Sequence, residues 1–257
     1  MTENKDKTEV STDVMDDILA TVGEGVDYDT SELQIPFVRV IQALSPQVKK
    51  SDPAFIKDAA QGDLFNTVTG EFWKAEDGIT VIPCFQETKY LEFTPRESGG
   101  GFAGELKADD PNILKAQRVG AKEVLPNGNE VVKSDQHYCM LVNKDGSTQP
   151  AIVDMKSTQL KISRRWKTQI AMQKVPDKNG TSRTPALFAT MWKLTTVEES
   201  NDMGTWYNYA VEKVGMIKDK TTFLEAKDFR GSIQSGASKA VTEVIATEDD
   251  DEDGVPF

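Results

Sequence analysis

Cysteine and histidine are almost missing from this chain: Cys84, Cys139 and His137 are the whole supply in 257 residues. Two cysteines cannot build a disulfide framework, and with one histidine they cannot supply the four ligands of a structural zinc site. Both thiols read as core residues. His137-Tyr138-Cys139 lies in an alternating apolar run, a strand pattern that puts His137 and Cys139 on one face; a catalytic Cys–His pair is the weaker reading. No cofactor and no metal site is implied. The chain also lacks an apolar run long enough to span a membrane, and its opening MTENKDKTEVSTDVMDD has neither the basic nor the apolar block of a signal peptide. A cytoplasmic or nucleoid-associated protein without membrane contact is expected.

Acidic residues are plentiful overall and nearly absent from one segment. The net charge is −12, yet residues 156–193 hold nine basic side chains and a single acid, Asp177. Residues 1–34 carry ten acidic residues against two lysines, and residues 231–257 carry seven against one. A slightly basic body thus stands between two acidic ends. Like-charged ends poor in apolar residues cannot bury enough surface to offset chain entropy. Residues 1–34 and 236–257 are therefore expected to be mostly disordered, with a helix around Val14, Ile18 and Val22 after Thr12 and Asp13. With 38% hydrophobic residues, the body, 35–235, suffices for one sizeable core.

Within the body, LFNTVTGEFW (64–73) places two apolar runs around Thr69-Gly70, a hairpin pattern. ITVIPCFQETKYLEFT (79–94), rich in β-branched and aromatic residues, predicts a long strand in which Pro83 marks an edge or a bulge. Three successive glycines in PRESGGGFAGE (95–105) predict an irregular loop, and residues 105–135 give no clear pattern. QHYCMLVN and STQPAIVDM flank Lys144-Asp145-Gly146, a strong hairpin signal. STQLKISRRWKTQIAMQK (157–174) has helical spacing at Ile162, Trp166 and Ile170, with Ser157 as cap. Two more strands follow around Asn201 and Asp202, then a helix over 221–235. The order from 79 to 217 (three strands, helix, two strands) is that of an OB-fold-like five-stranded barrel, an architecture that binds oligonucleotides on one face.

The basic segment carries the candidate binding residues Lys156, Lys161, Arg164, Arg165, Lys167, Lys174, Arg183 and Lys193. At 100° per residue Lys161, Arg164 and Arg165 fall opposite Ile162, Trp166 and Ile170. An ordinary amphipathic helix would interleave acids at i+4; here none balances the cations. Phosphates need such cations, and sequence-tolerant single-strand binding needs aromatic faces. Trp192, Trp206, Tyr207 and Tyr209 lie in the following strands. Alternation puts Tyr207 and Tyr209 on one face and Trp206 on the other, so one of these faces is core. Tyr90, Phe93 and Phe102 with Arg96 make a second aromatic and basic group at the glycine loop.

The chain closes on EDDDEDGVPF, six carboxylates before Val255, Pro256 and Phe257. A solubility tail gains nothing from a large apolar ring. DDDEDGVPF resembles the acidic tip of bacterial single-stranded DNA-binding proteins, which end in a run of Asp, a small aliphatic residue, Pro and Phe. Tip and expected barrel together resemble bacteriophage single-stranded DNA-binding proteins with acidic tails. VIPCFQETKYLEFTPRESGGG and GDLFNTVTGEFW are also similar to recurrent phage protein segments, whereas the long acidic N-terminus departs from the bacterial pattern. The resemblance implies a role in DNA replication, recombination and repair in a host cytoplasm. It implies that Asp249, Asp250, Asp251, Glu252, Asp253, Val255, Pro256 and Phe257 dock on replication proteins such as a polymerase, helicase or primase. The same tail, carrying charge like that of a nucleic acid, can compete for the protein's own basic groove. No enzymatic activity is expected, and a homodimer is one candidate assembly.

Two other classes fit parts of the sequence. Asp154-Met155-Lys156 is an Asp-x-Lys at a strand end, as in metal-dependent nucleases, although no clear partner acid precedes it at a strand end. A non-catalytic DNA mimic would explain the acidic ends and leave the basic helix unexplained.

Overall fold

A computed structural model describes residues 12–21, 34–202 and 204–236. The chain divides into two compact units, Met1–Leu33 and Gln34–Phe257. In the first, α1 (Thr12–Ala20) exposes Val14 and Ile18; residues 1–11 and 22–33, Val22 of the expected helix among them, and residues 237–257 of the tail lie outside the described residues.

The second unit is mainly β. Its elements are β1 (Phe37–Val40), β2 (Leu64–Asn66), β3 (Phe72–Trp73), β4 (Ile79–Phe93), β5 (Phe102–Leu106), β6 (Gln117–Val119), β7 (Lys122–Val124), β8 (Glu130–Val142) and β9 (Thr148–Lys156). After α2 (Leu160–Ala171) come β10 (Val175–Pro176), β11 (Ser182–Arg183), β12 (Thr190–Asn201), β13 (Gly204–Met216) and α3 (Lys220–Ser235). One curled sheet runs β13-β12-β4-β8-β9-β1-β2-β3. Strands β4, β8, β9, β12 and β13, with α2 between the third and fourth of them, make an OB-like barrel, as the element order predicts.

The expected hairpins form across Lys144-Asp145-Gly146 and Thr69-Gly70. The register of β4 on β8 slips between Pro83 and Phe85, because a proline has no N–H to give to the ladder. Two expectations are corrected, and one stretch without a pattern is filled. Regular structure resumes directly after the glycines, where β5 pairs with β4 from Phe102. The unpatterned stretch before 135 holds β6, β7 and the first residues of β8, which starts at Glu130. Ser157 does not cap the basic helix: it has φ 45° and opens a 3-10 turn, and α2 starts only at Leu160.

The barrel departs from the simple OB pattern at its seam. The third barrel strand, β9, pairs in parallel with the N-terminal strand β1, and β13 meets that insertion through side chains. Gln42 spans the gap with its amide: Nε2 donates to Tyr207 O at 2.9 Å and Oε1 accepts from Tyr207 N at 2.9 Å. Tyr209 Oη donates to Val38 O. Gly62, at φ 86°, lies against the Tyr207 ring, and a Cβ there would sit 2.7 Å from it.

Side chains alternate to two cores. One contains Val81, Leu141, Val153, Met155, Trp192 and Leu194 and is covered by Trp166 of α2. On the other side, Phe37, Tyr138 and Ile152 pack against Phe229 and Ile233 of α3, with Ile82, Cys84 and Met140 beside Ala226. Asp219 caps α3, accepting from Thr222 N at 2.7 Å, and Gly236 ends it at φ 75°.

Candidate nucleic-acid interface

Helix α2 forms because Ile162, Trp166 and Ile170 recur at helical spacing and bury against the sheet. A polar anchor fixes it as well. Asp135, 3% exposed, accepts from Ser163 Oγ at 2.7 Å, Lys167 Nζ at 2.6 Å and Thr88 Oγ1 at 2.7 Å. Burial alone would raise the Asp135 pKa, but these three donors outweigh it and bring it to about 2. Beside it His137 Nε2 lies 2.8 Å from Ser163 Oγ, with the imidazole 4.6 Å from the Trp166 ring. Burial depresses the His137 pKa to about 4, so the ring is neutral at pH 7. Burial also lifts the thiols, Cys84 to about 12 and Cys139 well above its ordinary value. Thiols held neutral and sealed from solvent are no nucleophiles.

The anchor sorts the predicted cations. Lys167 is committed to Asp135. Lys161 pairs with Glu199 at 3.1 Å, Lys156 with Asp154 at 3.3 Å and Arg183 with Asp177 at 3.2 Å. Lys174 donates to Thr184. Arg164 and Arg165 are exposed on α2 with no ion-pair partner among the described residues, and Lys193 on β12 is half-buried and equally unpaired. Arg96 is exposed on the 3-10 turn Arg96–Ser98 before the glycines.

The aromatics sort just as sharply. Trp192, Tyr209 and Trp206 are 1%, 2% and 8% exposed, so the first two fill the α2 core and none offers a face to a base. Trp192 Nε1 donates to Thr190 Oγ1. Tyr207 is half-buried at the seam, with its hydroxyl on Glu198. At the glycine loop Phe93 and Phe102 pair edge to face at 5.8 Å. Tyr90 does not join them, because three residues along β4 it projects to the opposite side. It lies instead on the side of the sheet that α2 covers, one row beyond Thr88 and Asp135, and directly opposite Lys133. Lys133 is exposed and was missed in the unpatterned stretch; the alternation of Lys133 with Val132 and Ser134 is the signal that marks it.

An OB-like barrel with an anchored helix that exposes two unpaired arginines is the class of protein that these features define. A family model described as Pam3 phage gp34-like protein matches residues 5–239, and the chain belongs to that family, a bacteriophage family. No curated protein and no solved structure matches it. No helix among the described residues is long and apolar enough to cross a membrane.

Proposed function

We propose that this phage protein binds single-stranded DNA along the outer face of α2 and the adjoining sheet row of Tyr90 and Lys133, serving replication or recombination. The observation that carries the reading is the pair Arg164 and Arg165. Neither guanidinium has an ion-pair partner among the described residues, on a helix whose orientation Asp135 fixes from below, and unpaired cations on a rigid support suit phosphate contacts. Lys174, just after α2, extends the cationic surface, and Tyr90 supplies an aromatic face on the same side of the sheet, whereas Lys193 alternates with Trp192 and Leu194 to the opposite side. The acidic tail, outside the described residues, is proposed to recruit replication proteins through Phe257. The protein acts by binding, without catalysis.

Fluorescence anisotropy with a labelled oligo-dT across a salt series tests the proposal. Saturable binding that weakens linearly in log salt is expected, and absence of binding at low salt overturns it.

A further inference from the structure

Strands β10 and β11 pair with each other in a two-stranded sheet separate from the large one, Val175 opposite Arg183 and Pro176 opposite Ser182. Residues 174–184 are exposed apart from the half-buried Val175 and Asp177, so the hairpin adds no buried residue to either core. A two-stranded hairpin alone is marginal in water. Here Asp177 builds the turn: its Oδ1 accepts from Asn179 N and Thr181 N at 2.9 Å each, its Oδ2 from Arg183 Nε at 3.2 Å, and its own N donates to Thr181 O. Gly180 completes the turn at φ 78°. The single acid of the basic segment is thereby committed to the hairpin's own shape. Lys178 at the tip is exposed with no ion-pair partner among the described residues, and Lys174 donates to Thr184 Oγ1 one register step behind Val175 and Arg183. The bond of Arg183 to Asp177 is an exposed ion pair, weak in water, so its guanidinium remains open to a further anion.

We propose that the β10–β11 hairpin contacts duplex DNA, so that the protein binds at junctions between single-stranded and double-stranded DNA. The chemistry that the hairpin lacks decides the ligand. No aromatic residue stands between Trp166 and Phe188. Single strands are held by stacking their bases on rings, and this hairpin has none to offer. A duplex keeps its bases stacked on one another and presents phosphates to cations and hydroxyls, and its major groove admits a two-stranded β-ribbon. Lys174, Lys178 and Arg183, with the hydroxyls of Thr181 and Ser182, supply that chemistry. Met172, Gln173 and Lys174 alone separate α2 from β10, a span of at most about 14 Å, so helix and hairpin can lie on one DNA molecule. The inference rests on the single-strand reading, in which α2 and Tyr90 hold the unpaired strand.

Fluorescence anisotropy of the full-length protein with two labelled probes, an oligo-dT and a DNA stem–loop carrying the same oligo-dT as an overhang, tests it across a salt series. The wild type should bind the stem–loop roughly tenfold more tightly at low salt, with a slope of log affinity against log salt steeper by about two to three, near one for each hairpin cation. Replacing Lys178 and Arg183 together by alanine should remove most of both differences and leave oligo-dT affinity within about twofold of wild type. The melting temperature should stay as it is, since both side chains are exposed, and Lys178→Arg should keep the preference for the stem–loop. Equal affinity of the wild type for the two probes, or a double variant that weakens both alike, overturns the proposal and leaves the single-strand reading in place. A wild type that binds the stem–loop and not the oligo-dT sinks the single-strand reading while the hairpin keeps its role, and failure of both probes sinks both.

Discussion

Asp135 and Lys167 meet at 2.6 Å beneath the basic helix, and that pair divides the cations of α2 by task. Lys167 spends its charge on the sheet, while Arg164 and Arg165 spend theirs on nothing in the described residues. Replacing both arginines by alanine should therefore weaken oligo-dT binding across sequences and flatten the slope of log affinity against log salt by about one to two. Lys167→Ala should chiefly lower the urea midpoint, since it leaves Asp135 buried with one charged donor fewer. An unchanged slope in the double arginine variant would move the interface elsewhere.

Tyr90 provides the second test. Where a base stacks on a ring, alanine costs about 1–3 kcal/mol of affinity, so Tyr90→Ala should lose binding and keep its fold. Trp192→Ala should instead lose about 3–5 kcal/mol of stability. With Trp166, Trp192 and Trp206 buried and the fourth tryptophan, Trp73, half-buried against the same core as Trp166, intrinsic tryptophan fluorescence should change little on saturation with poly-dT. A large quench, or full affinity in Tyr90→Ala, would contradict this placement of the stacking surface.

The parts that the sequence disclosed were those whose signals are local. Asp145-Gly146 marked a hairpin because only a few residues tolerate positive φ, and Ile162, Trp166 and Ile170 marked a helix by their period. The barrel order followed from such pieces. What stayed hidden depends on pairing between distant segments. Nothing in FVRV announces that β1 inserts beside β9, and no local pattern tells Lys167, aimed at Asp135, from Arg164, aimed at solvent. Aromatic alternation narrowed the stacking candidates to faces without revealing which face was core, and the structure buries residues from both: Trp206 on one side and Tyr209 on the other.

His137 makes a prediction in pH. Burial first, with the Lys167 charge assisting and Asp135 and Asp154 opposing, sets its pKa at about 4, below the ordinary 6.5 of the unfolded chain. Between those values the unfolded state binds the proton more readily, so stability falls as pH drops from about 6.5 to about 4 and is flat above. The loss is on the order of 3 kcal/mol at about 1.4 kcal/mol per tenfold. Urea midpoints measured at intervals across this range should show the slope in wild type and a flatter one in His137→Gln. Loss of the Asp135 ion pair comes at lower pH, toward about 2.

The seam between β1 and β13 should be sensitive out of proportion to its size. Gln42→Ala removes both bonds to the Tyr207 backbone, at about 0.5–1.5 kcal/mol each. Gly62→Ala meets the Tyr207 ring and a positive φ together and should cost at least as much. Amide hydrogen exchange of the β13 residues around Tyr207 should accelerate in both variants ahead of β8. Uniform acceleration through the barrel would mean that the seam is no weak point.

The acidic tail and the DNA are expected to compete for the same cations, since both present closely spaced negative charge. Deleting residues 248–257 removes six side-chain carboxylates and should raise oligo-dT affinity. The gain should be largest at low salt, because the Debye length shrinks from about 30 Å at roughly 0.01 M to about 8 Å at roughly 0.15 M. Deleting Phe257 alone keeps every side-chain carboxylate, so affinity should stay near wild type while capture of phage or host replication proteins is lost, as expected when an aromatic anchor leaves its pocket. Charge and ring are thereby read separately. Should the truncation leave affinity unchanged at low salt and the loss of Phe257 leave every partner bound, the tail serves solubility alone.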